Sequence, residues 1–169
     1  MTASGFDVLC IGNAIVDVIA RVEDNFVSRH GLVKGSMNLI DEVRAEQLYG
    51  DMGQAIEVSG GSAGNTAAGV ASLGGKTAYF GKVKADQLGS IFRHDMRAQG
   101  VAFDTAPASD GPATARSFIL VTPDSERTMN TYLGACVNFT VGSMVKVIKQ
   151  GKLPVSEVFG VMVTDAMGA

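Results

Sequence analysis

The stretch Ser59-Gly60-Gly61-Ser62-Ala63-Gly64-Asn65 decides the fold, because it places three glycines within seven residues. It follows the short apolar segment Ala55 to Val58 and leads into a helix predicted over Asn65 to Leu73, which Gly74-Gly75 ends. Glycine carries no β-carbon, so such a turn exposes backbone N–H groups and allows close approach of a ligand. A strand, a glycine turn and a helix in this order predict an α/β unit with a binding site at the turn.

Strands and helices alternate along the rest of the chain. The apolar and β-branched runs predict strands over residues 6–11, 15–22, 37–40, 77–83, 115–122 and 128–133. Further helices are predicted over residues 23–30, after an N-cap at Asp41, and after an N-cap at Asp86. This alternation predicts the α/β fold class, and the extra strands near the N-terminus predict a small β-rich annex on the main sheet.

Composition argues against several classes of protein. Hydrophobic residues make up 46% and charged residues 18%, which allows a packed core and disfavours disorder. The formal net charge of -3 gives no electrostatic reason to expect nucleic-acid binding. No apolar run approaches the ~20 residues of a membrane-spanning helix. Residues 1–6 show no secretory signal, and Cys10 and Cys136 lack metal-ligand spacing, so we expect reduced, buried thiols in a cytoplasmic protein without a metal site.

The glycine turn does not fit the common phosphate-binding motifs. A Walker loop ending in Gly75-Lys76-Thr77 would need a glycine at position 70, where Val70 stands. The dinucleotide motif Gly-x-Gly-x-x-Gly has no match in the turn. The nucleophile elbow Gly-x-Ser-x-Gly does match, with Ser62 at its centre, so a serine hydrolase is an alternative function. Such an enzyme would need His30 or His94 as its base.

The residue types around the turn suit a neutral polyol better. Backbone N–H groups and the Asn65 amide offer both donors and acceptors, which hydroxyl groups require. Asp17, predicted on the strand after Gly12-Asn13, adds a carboxylate that can accept hydrogen bonds from two adjacent hydroxyls. A carboxylate within this apolar strand would be costly to bury unpaired. Strand alternation leaves a second interpretation equally open, in which Asp17 simply faces solvent.

Five blocks of sequence, in this order, carry a family resemblance. They are Gly12-Asn13-Ala14-Ile15-Val16-Asp17, Ser59 to Ala67, Leu73-Gly74-Gly75, Tyr79-Phe80-Gly81-Lys82-Val83 and Arg127 to Ala135. Together they resemble the ribokinase-like (PfkB-type) carbohydrate and nucleoside kinases, and within that family the adenosine kinase-like sugar kinases. The resemblance implies a Rossmann-like three-layer α/β/α fold, here incomplete, with a small β-sheet lid that includes Gly35 to Ile40.

The same resemblance implies an activity and a set of binding residues. Members of the family transfer the γ-phosphoryl group of ATP to a hydroxymethyl group, commonly with Mg²⁺. By position, Asn13 and Asp17 match residues that hold sugar or ribose hydroxyls, and Gly60, Gly61 and Asn65 match residues that bind the same ring. The expected partner is a small-molecule sugar or nucleoside, with adenosine preferred and a ribose or ketose as alternatives. Family members are often homodimers through the lid.

One departure from the family bears on catalysis. The family's catalytic aspartate lies in a Gly-Ala-Gly-Asp motif, and an Asn-x-x-Glu motif helps to organise Mg²⁺ and phosphate; neither occurs in the 169 residues. No catalytic residue can therefore be assigned, and most of the ATP and Mg²⁺ site is expected to be missing. We expect a substrate-binding half that is inactive alone. A non-catalytic sugar- or nucleoside-binding module is the alternative.

The last thirty residues differ in character from the rest. Their charged residues are Lys146, Lys149, Lys152, Glu157 and Asp165. We predict that residues 1–137 form the N-terminal part of a kinase domain with its lid strands, and that residues 138–169 form an atypical tail. Either a frameshift or sequence divergence shortly after Val137 would explain this tail. Half of a doubly wound sheet would leave strand edges uncovered, which predicts association or poor solubility.

Overall fold

The structure, a computed structural model, describes residues 5–140, 142 and 160–163. The strands are β1 (Val8–Ile11), β2 (Ile15–Arg21), β3 (Met37–Leu39), β4 (Ile56–Gly60), β5 (Thr77–Phe80), β6 (Val101–Ala102), β7 (Ala115–Val121), β8 (Arg127–Tyr132) and β9 (Gly160–Val163). The helices are α1 (Asp24–Arg29), α2 (Glu42–Asp51), α3 (Ser62–Ser72) and α4 (Gln87–Ala98), and a 3₁₀-helix spans Gly134–Asn138. No helix in the described ranges is long and apolar enough to cross a bilayer.

A four-stranded parallel sheet in the order β6-β5-β1-β9 forms the first layer. Its inner strands are almost wholly buried, as expected for parallel strands that are covered on both faces. On one face, Cys10 and Tyr79 pack with Phe92 of α4 and with Phe103, and α3 lies against β1 and β5. On the opposite face, Phe80 contacts Phe139 with ring centroids 6.5 Å apart.

A five-stranded mixed sheet in the order β3-β8-β7-β2-β4 forms the annex that the N-terminal strands predict. β2 is its second strand from one edge and pairs antiparallel with β4 and parallel with β7. One face of this sheet is covered by α1 and α2. The apolar cluster beneath these helices includes Val18, Phe26, Ala45, Leu48, Phe118, Leu120 and Tyr132. The other face is more open, and Asp17 lies on it, because side chains alternate between the two faces of a strand.

Local sequence signals account for the helix starts. The side chain of Asp41 accepts a hydrogen bond from the Arg44 N–H at 2.8 Å, and that of Asp86 accepts one from the Gly89 N–H at 2.8 Å. Both predicted N-caps are therefore confirmed. The two cysteines are free and buried, as expected.

Most element boundaries differ from the prediction by one or two residues, and two of them differ by three. α3 begins at Ser62 rather than Asn65, because Gly61 adopts φ 81° and turns the chain from β4 directly into the helix. β5 ends at Phe80 rather than Val83.

Only part of the predicted tail lies within the described residues. Phe139 is buried, and β9 pairs with β1 along its whole length. Lys146, Lys149, Lys152, Glu157 and Asp165 lie outside the described residues.

Candidate substrate-binding site

The glycine turn lies where β4 meets α3, with Gly60 as the last residue of the strand and Gly61 as the N-cap of the helix. Gly60 is paired with Ile15 at the start of β2. A β-carbon on Gly61 would lie 2.7 Å from the carbonyl oxygen of Asn13, so the main chain at position 13 runs directly against the turn. This close approach, together with the positive φ, requires glycine at position 61.

The Asp17 carboxylate fills the space beside Gly60. A β-carbon on Gly60 would lie 2.7 Å from Oδ1 of Asp17 and closer still to the other two carboxyl atoms. Absence of a side chain at position 60 therefore makes room for the carboxylate at position 17. The structure brings together four of the five predicted residues, since Asn13 and Gly61 adjoin the same turn.

Burial shapes the electrostatics of Asp17. The residue is half-buried on the open face of the five-stranded sheet, and burial raises the pKa of its carboxyl from 3.8 to about 6. The structure agrees in part with each interpretation of Asp17. Its side chain lies on the less buried face of the sheet, as a solvent-facing residue would, and it is nevertheless partly desolvated. A partly desolvated carboxylate gains from hydroxyl donors that replace the lost water.

Asn65 lies one helical turn beyond Gly61. Its backbone N–H donates to the Gly61 carbonyl at 2.8 Å, which is the first hydrogen bond of α3, and its side chain is exposed. The backbone N–H groups of Ser62 to Gly64 have no partner within the helix and are concentrated at the same end of it. Contact of the Asn65 amide with a substrate stays a prediction.

A row of paired residues extends the site across the sheet. Successive partners in register are Val58, Asp17, Ser117, Thr131 and Leu39, on β4, β2, β7, β8 and β3. Residues paired in this way share one face of the sheet. The hydroxyls of Ser117 and Thr131 are hydrogen-bonded at 2.8 Å, and both residues are buried.

Apolar side chains fill the next row on this face. They are Ile56, Ile19, Ile119, Met129 and Met37. The sequence analysis missed the hydroxyl pair and the apolar row. Pairing between distant strands brings these residues together, and no local sequence pattern predicts that pairing. The face thus combines a carboxylate, two hydroxyls and an apolar surface.

A serine hydrolase would need Ser62 paired with a histidine, and the described residues do not form such a pair. Ser62 is exposed as the first residue of α3. The ring of His30 lies 4.3 Å from that of Phe26 and 3.5 Å from Asp51, and His94 lies 3.4 Å from Asp95. Within the described ranges neither histidine is hydrogen-bonded to Ser62, so no Ser-His pair is formed.

The described residues also do not assemble a metal site. Across residues 5–140, 142 and 160–163 no group of three or more His, Cys, Asp or Glu side chains could hold a metal ion. The carboxylate of Asp17 faces a glycine turn and hydroxyl side chains, which suits a neutral hydroxylated ligand better than a nucleoside triphosphate with its metal. The ATP and Mg²⁺ site that the resemblance implies is therefore not assigned to the residues around Asp17.

The chain belongs to the pfkB family of carbohydrate kinases, because the family model matches residues 6–157. Its sequence is 66% identical to the solved adenosine kinase of Sinorhizobium meliloti, with a TM-score of 0.75 over 80% of this chain and 42% of that one. It is 53% identical to a solved sugar kinase protein of Rhizobium etli, with a TM-score of 0.81 over 95% of this chain and 47% of that one. These likenesses confirm the ribokinase-like α/β fold and its lid.

A more distant relative is a fructokinase. Over 77 residues the chain is 32% identical to the fructokinase of Solanum tuberosum, covering 46% of this chain and 24% of that protein. The chain thus spans less than half the length of each of these three relatives. The family and these relatives are phosphotransferases, and each relative's named substrate belongs to that relative.

Proposed function

We propose that this chain is the substrate-binding part of an ATP-dependent carbohydrate or nucleoside kinase. The complete enzyme would phosphorylate a hydroxymethyl group, and adenosine is the preferred substrate. One observation carries the proposal, namely the Asp17 carboxylate seated against Gly60 on the open face of the five-stranded sheet. Asn13 and Gly61 adjoin the same glycine turn, and Asn65 follows one helical turn later.

The chemistry of binding follows from these groups. Asp17 as a carboxylate accepts hydrogen bonds from two neighbouring hydroxyls of a ring. The free N–H groups at the start of α3 and the amides of Asn13 and Asn65 supply donors, and the amides also supply acceptors. Such a set satisfies a neutral polyol without an opposing cation. The absence of β-carbons at Gly60 and Gly61 lets the ring lie close to the main chain.

A bound nucleoside would contact more of the residues on this face than a free sugar would. Beyond Asp17 the row continues into the Ser117–Thr131 hydroxyl pair, and the adjacent row is apolar. A ribose at Asp17 would leave a heterocyclic base over this surface, where its apolar faces and polar edge both find partners. The 66% identity to an adenosine kinase supports this substrate, and the 32% identity to a fructokinase supports a ketose less strongly.

Phosphoryl transfer is not assigned to the described residues. In the family ATP supplies the phosphoryl group and Mg²⁺ balances its charge, whereas the described residues around Asp17 supply ring-binding groups. We therefore propose binding without turnover for the chain alone. A non-catalytic binding module is the second candidate, and it shares the Asp17 pocket.

Two properties complete the proposal. A cytoplasmic location is supported by the free, buried Cys10 and Cys136. A homodimer through the lid is supported by the exposed apolar side chains of its open face, with Met37 59%, Leu39 64% and Ile56 65% exposed.

Calorimetric titration of the purified chain with adenosine, ribose and fructose tests the proposal, with an ATP-dependent phosphorylation assay run in parallel. We expect saturable binding, strongest for adenosine, that Asp17→Asn abolishes and the exposed control Asp110→Asn leaves unchanged. Failure to bind any of the three ligands would overturn the proposal. Phosphorylation above a matched blank by the chain alone would overturn its binding-only part.

A further inference from the structure

A carboxylate of α4 reaches across to the edge of the five-stranded sheet. Oδ2 of Asp95 accepts a hydrogen bond from the backbone N–H of Ser59 at 2.9 Å. Ser59 immediately precedes Gly60, so this contact lies one residue from the glycine turn. Asp95 itself is not among the residues that adjoin the Asp17 carboxylate.

The position of Ser59 explains why such a partner matters. β4 is an edge strand, and Ser59 is paired with Val16 of β2 on its inner side. The Ser59 N–H points outward, and an outward N–H on an edge strand has no partner within the sheet. Asp95 supplies a charge-assisted acceptor, which gives a stronger hydrogen bond than a neutral one.

A second contact from the same helix holds the same residue. Gln99, the C-cap of α4, donates from Nε2 to the Ser59 hydroxyl at 3.2 Å. Two groups four residues apart on α4 therefore hold both the main chain and the side chain of Ser59.

The helix that carries Asp95 is fixed in the core. Its neighbours on the helix include Phe92 and Met96, which are buried against the four-stranded sheet. Side chains packed in such a core have little freedom to move. The hydrogen bond from Ser59 to Asp95 therefore fixes the end of β4 relative to the four-stranded sheet.

We propose that Asp95 is a positioning residue for substrate binding, because it holds the Gly60–Gly61 turn in its ligand-accepting conformation. The inference rests on the proposed function, in which that turn binds a hydroxylated ring. Glycine loses more conformational freedom on ordering than any other residue. A turn already held at Ser59 spares the ligand that ordering cost, since preorganisation raises affinity without a new ligand contact.

The experiment compares variants of the 169-residue chain with adenosine as the probe. Asp95→Ala removes the acceptor, and Asp95→Asn keeps a side-chain oxygen at the same place. Asp110→Ala is the matched control, since Asp110 is an exposed aspartate outside α4. Calorimetry gives Kd, thermal melting gives Tm, and NMR hydrogen exchange reports the amides of Ser59, Gly60 and Gly61.

We expect Asp95→Ala to weaken adenosine binding by about fivefold or more and to speed amide exchange at all three positions. Asp95→Asn should restore Kd to within about twofold of the unaltered chain, and Asp110→Ala should change neither Kd nor amide exchange. Restoration by asparagine separates a hydrogen-bonding role from a general effect of charge. Equal Kd values for Asp95→Ala and Asp110→Ala would overturn the inference.

The inference stays testable if the alanine variant does not fold or if the unaltered chain binds no ligand. If the alanine variant does not fold, Asp95→Glu replaces it, because the longer side chain displaces the carboxylate by one methylene; a Kd equal to that of Asp95→Asn would overturn the inference. If the unaltered chain binds no ligand, the proposed function fails, and the exchange rates decide separately whether Asp95 holds the turn. Unchanged exchange at Gly60 and Gly61 in Asp95→Ala would then overturn the inference as well.

Discussion

The carboxylate of Asp86 holds Thr114 by two hydrogen bonds, accepting from its backbone N–H at 2.9 Å and from its hydroxyl at 2.6 Å. The same carboxylate caps α4 through the Gly89 N–H. Since Thr114 immediately precedes β7, one side chain joins the helix that packs on the four-stranded sheet to a strand of the five-stranded sheet. The Asp86 carboxylate thus helps to fix the placement of one sheet relative to the other.

Replacement of Asp86 by alanine should be costly for stability. The change removes a helix cap and two hydrogen bonds to a carboxylate, so we expect a loss of about 2–3 kcal/mol in the free energy of unfolding. Asp41→Ala removes a helix cap alone and should cost about 1 kcal/mol. Urea denaturation of both variants measures the difference, and equal losses would contradict the joining role of Asp86.

Gly60→Ala should damage binding through Asp17. The new methyl group would occupy the position of the carboxylate, so the acid must move and we expect at least about tenfold weaker adenosine binding. Gly53→Ala is the control, because a β-carbon there meets no atom within 4 Å.

A double-mutant cycle isolates the cause. In an Asp17→Ala background the carboxylate is gone, so Gly60→Ala should destabilise the fold less than it does in the unaltered chain. Additive losses of stability in urea would show that the two positions do not compete for space.

Binding should depend on pH through Asp17. With a folded-state pKa of about 6, the carboxyl is mostly protonated at pH 5 and ionised at pH 7.5. The ionised form accepts hydrogen bonds from two hydroxyls more strongly than the protonated form, in which one oxygen carries a proton. We therefore expect adenosine affinity to rise between pH 5 and pH 7.5, and a flat profile from calorimetry would contradict it.

The same raised pKa predicts the pH dependence of stability. Between about pH 4 and pH 6 the folded chain retains the Asp17 proton more tightly than the unfolded chain does. The contribution of this group to stability is therefore present below pH 4 and is lost as pH rises through 6. Denaturation of the unaltered chain and of Asp17→Asn over this range gives the difference, which should decline with pH. A constant difference would be inconsistent with the shift.

Loss of one hydroxyl from the Ser117–Thr131 pair should cost more than its size suggests. Thr131→Val leaves the buried Ser117 hydroxyl without its partner, and we expect a loss of about 1 kcal/mol in stability. Adding Ser117→Ala should recover part of this loss because no polar group is then left unpaired. Strictly additive losses in the free energy of unfolding for the double variant, measured by urea denaturation, would contradict this expectation.

The same double variant tests the choice of substrate. If the base of a nucleoside lies over the hydroxyl pair, Ser117→Ala with Thr131→Val should weaken adenosine binding and leave ribose binding unchanged. Parallel titrations with the two ligands measure this contrast, and equal effects on both ligands would count against adenosine.

Local sequence predicts some of these features and long-range pairing decides the others. The caps at Asp41 and Asp86 follow from residue types whose conformational preferences act over a few positions. The family resemblance indicates Asp17 and Gly60 as members of one site, and the structure places them in contact. The hydrogen bond from Ser59 to Asp95 joins residues 36 apart in sequence, so no local sequence pattern predicts it.

The early start of α3 has a related cause. Composition favours a helix of small residues from Asn65 onward, whereas the three preceding residues are serine, alanine and glycine, which mark no clear boundary. The backbone turn at Gly61 fixes the first helical residue, and that turn depends on the approach of the Asn13 main chain. Position in the tertiary structure thus overrides the local preference.

The contact between Gly60 and Asp17 also restricts how this sequence can diverge. Every replacement of a glycine adds a β-carbon or a ring, so at position 60 each single substitution collides with the carboxylate. A tolerated change there requires that position 17 first acquire a smaller side chain. Homologous chains should therefore show the two positions substituted together, with any larger residue at position 60 found only where the aspartate has been lost.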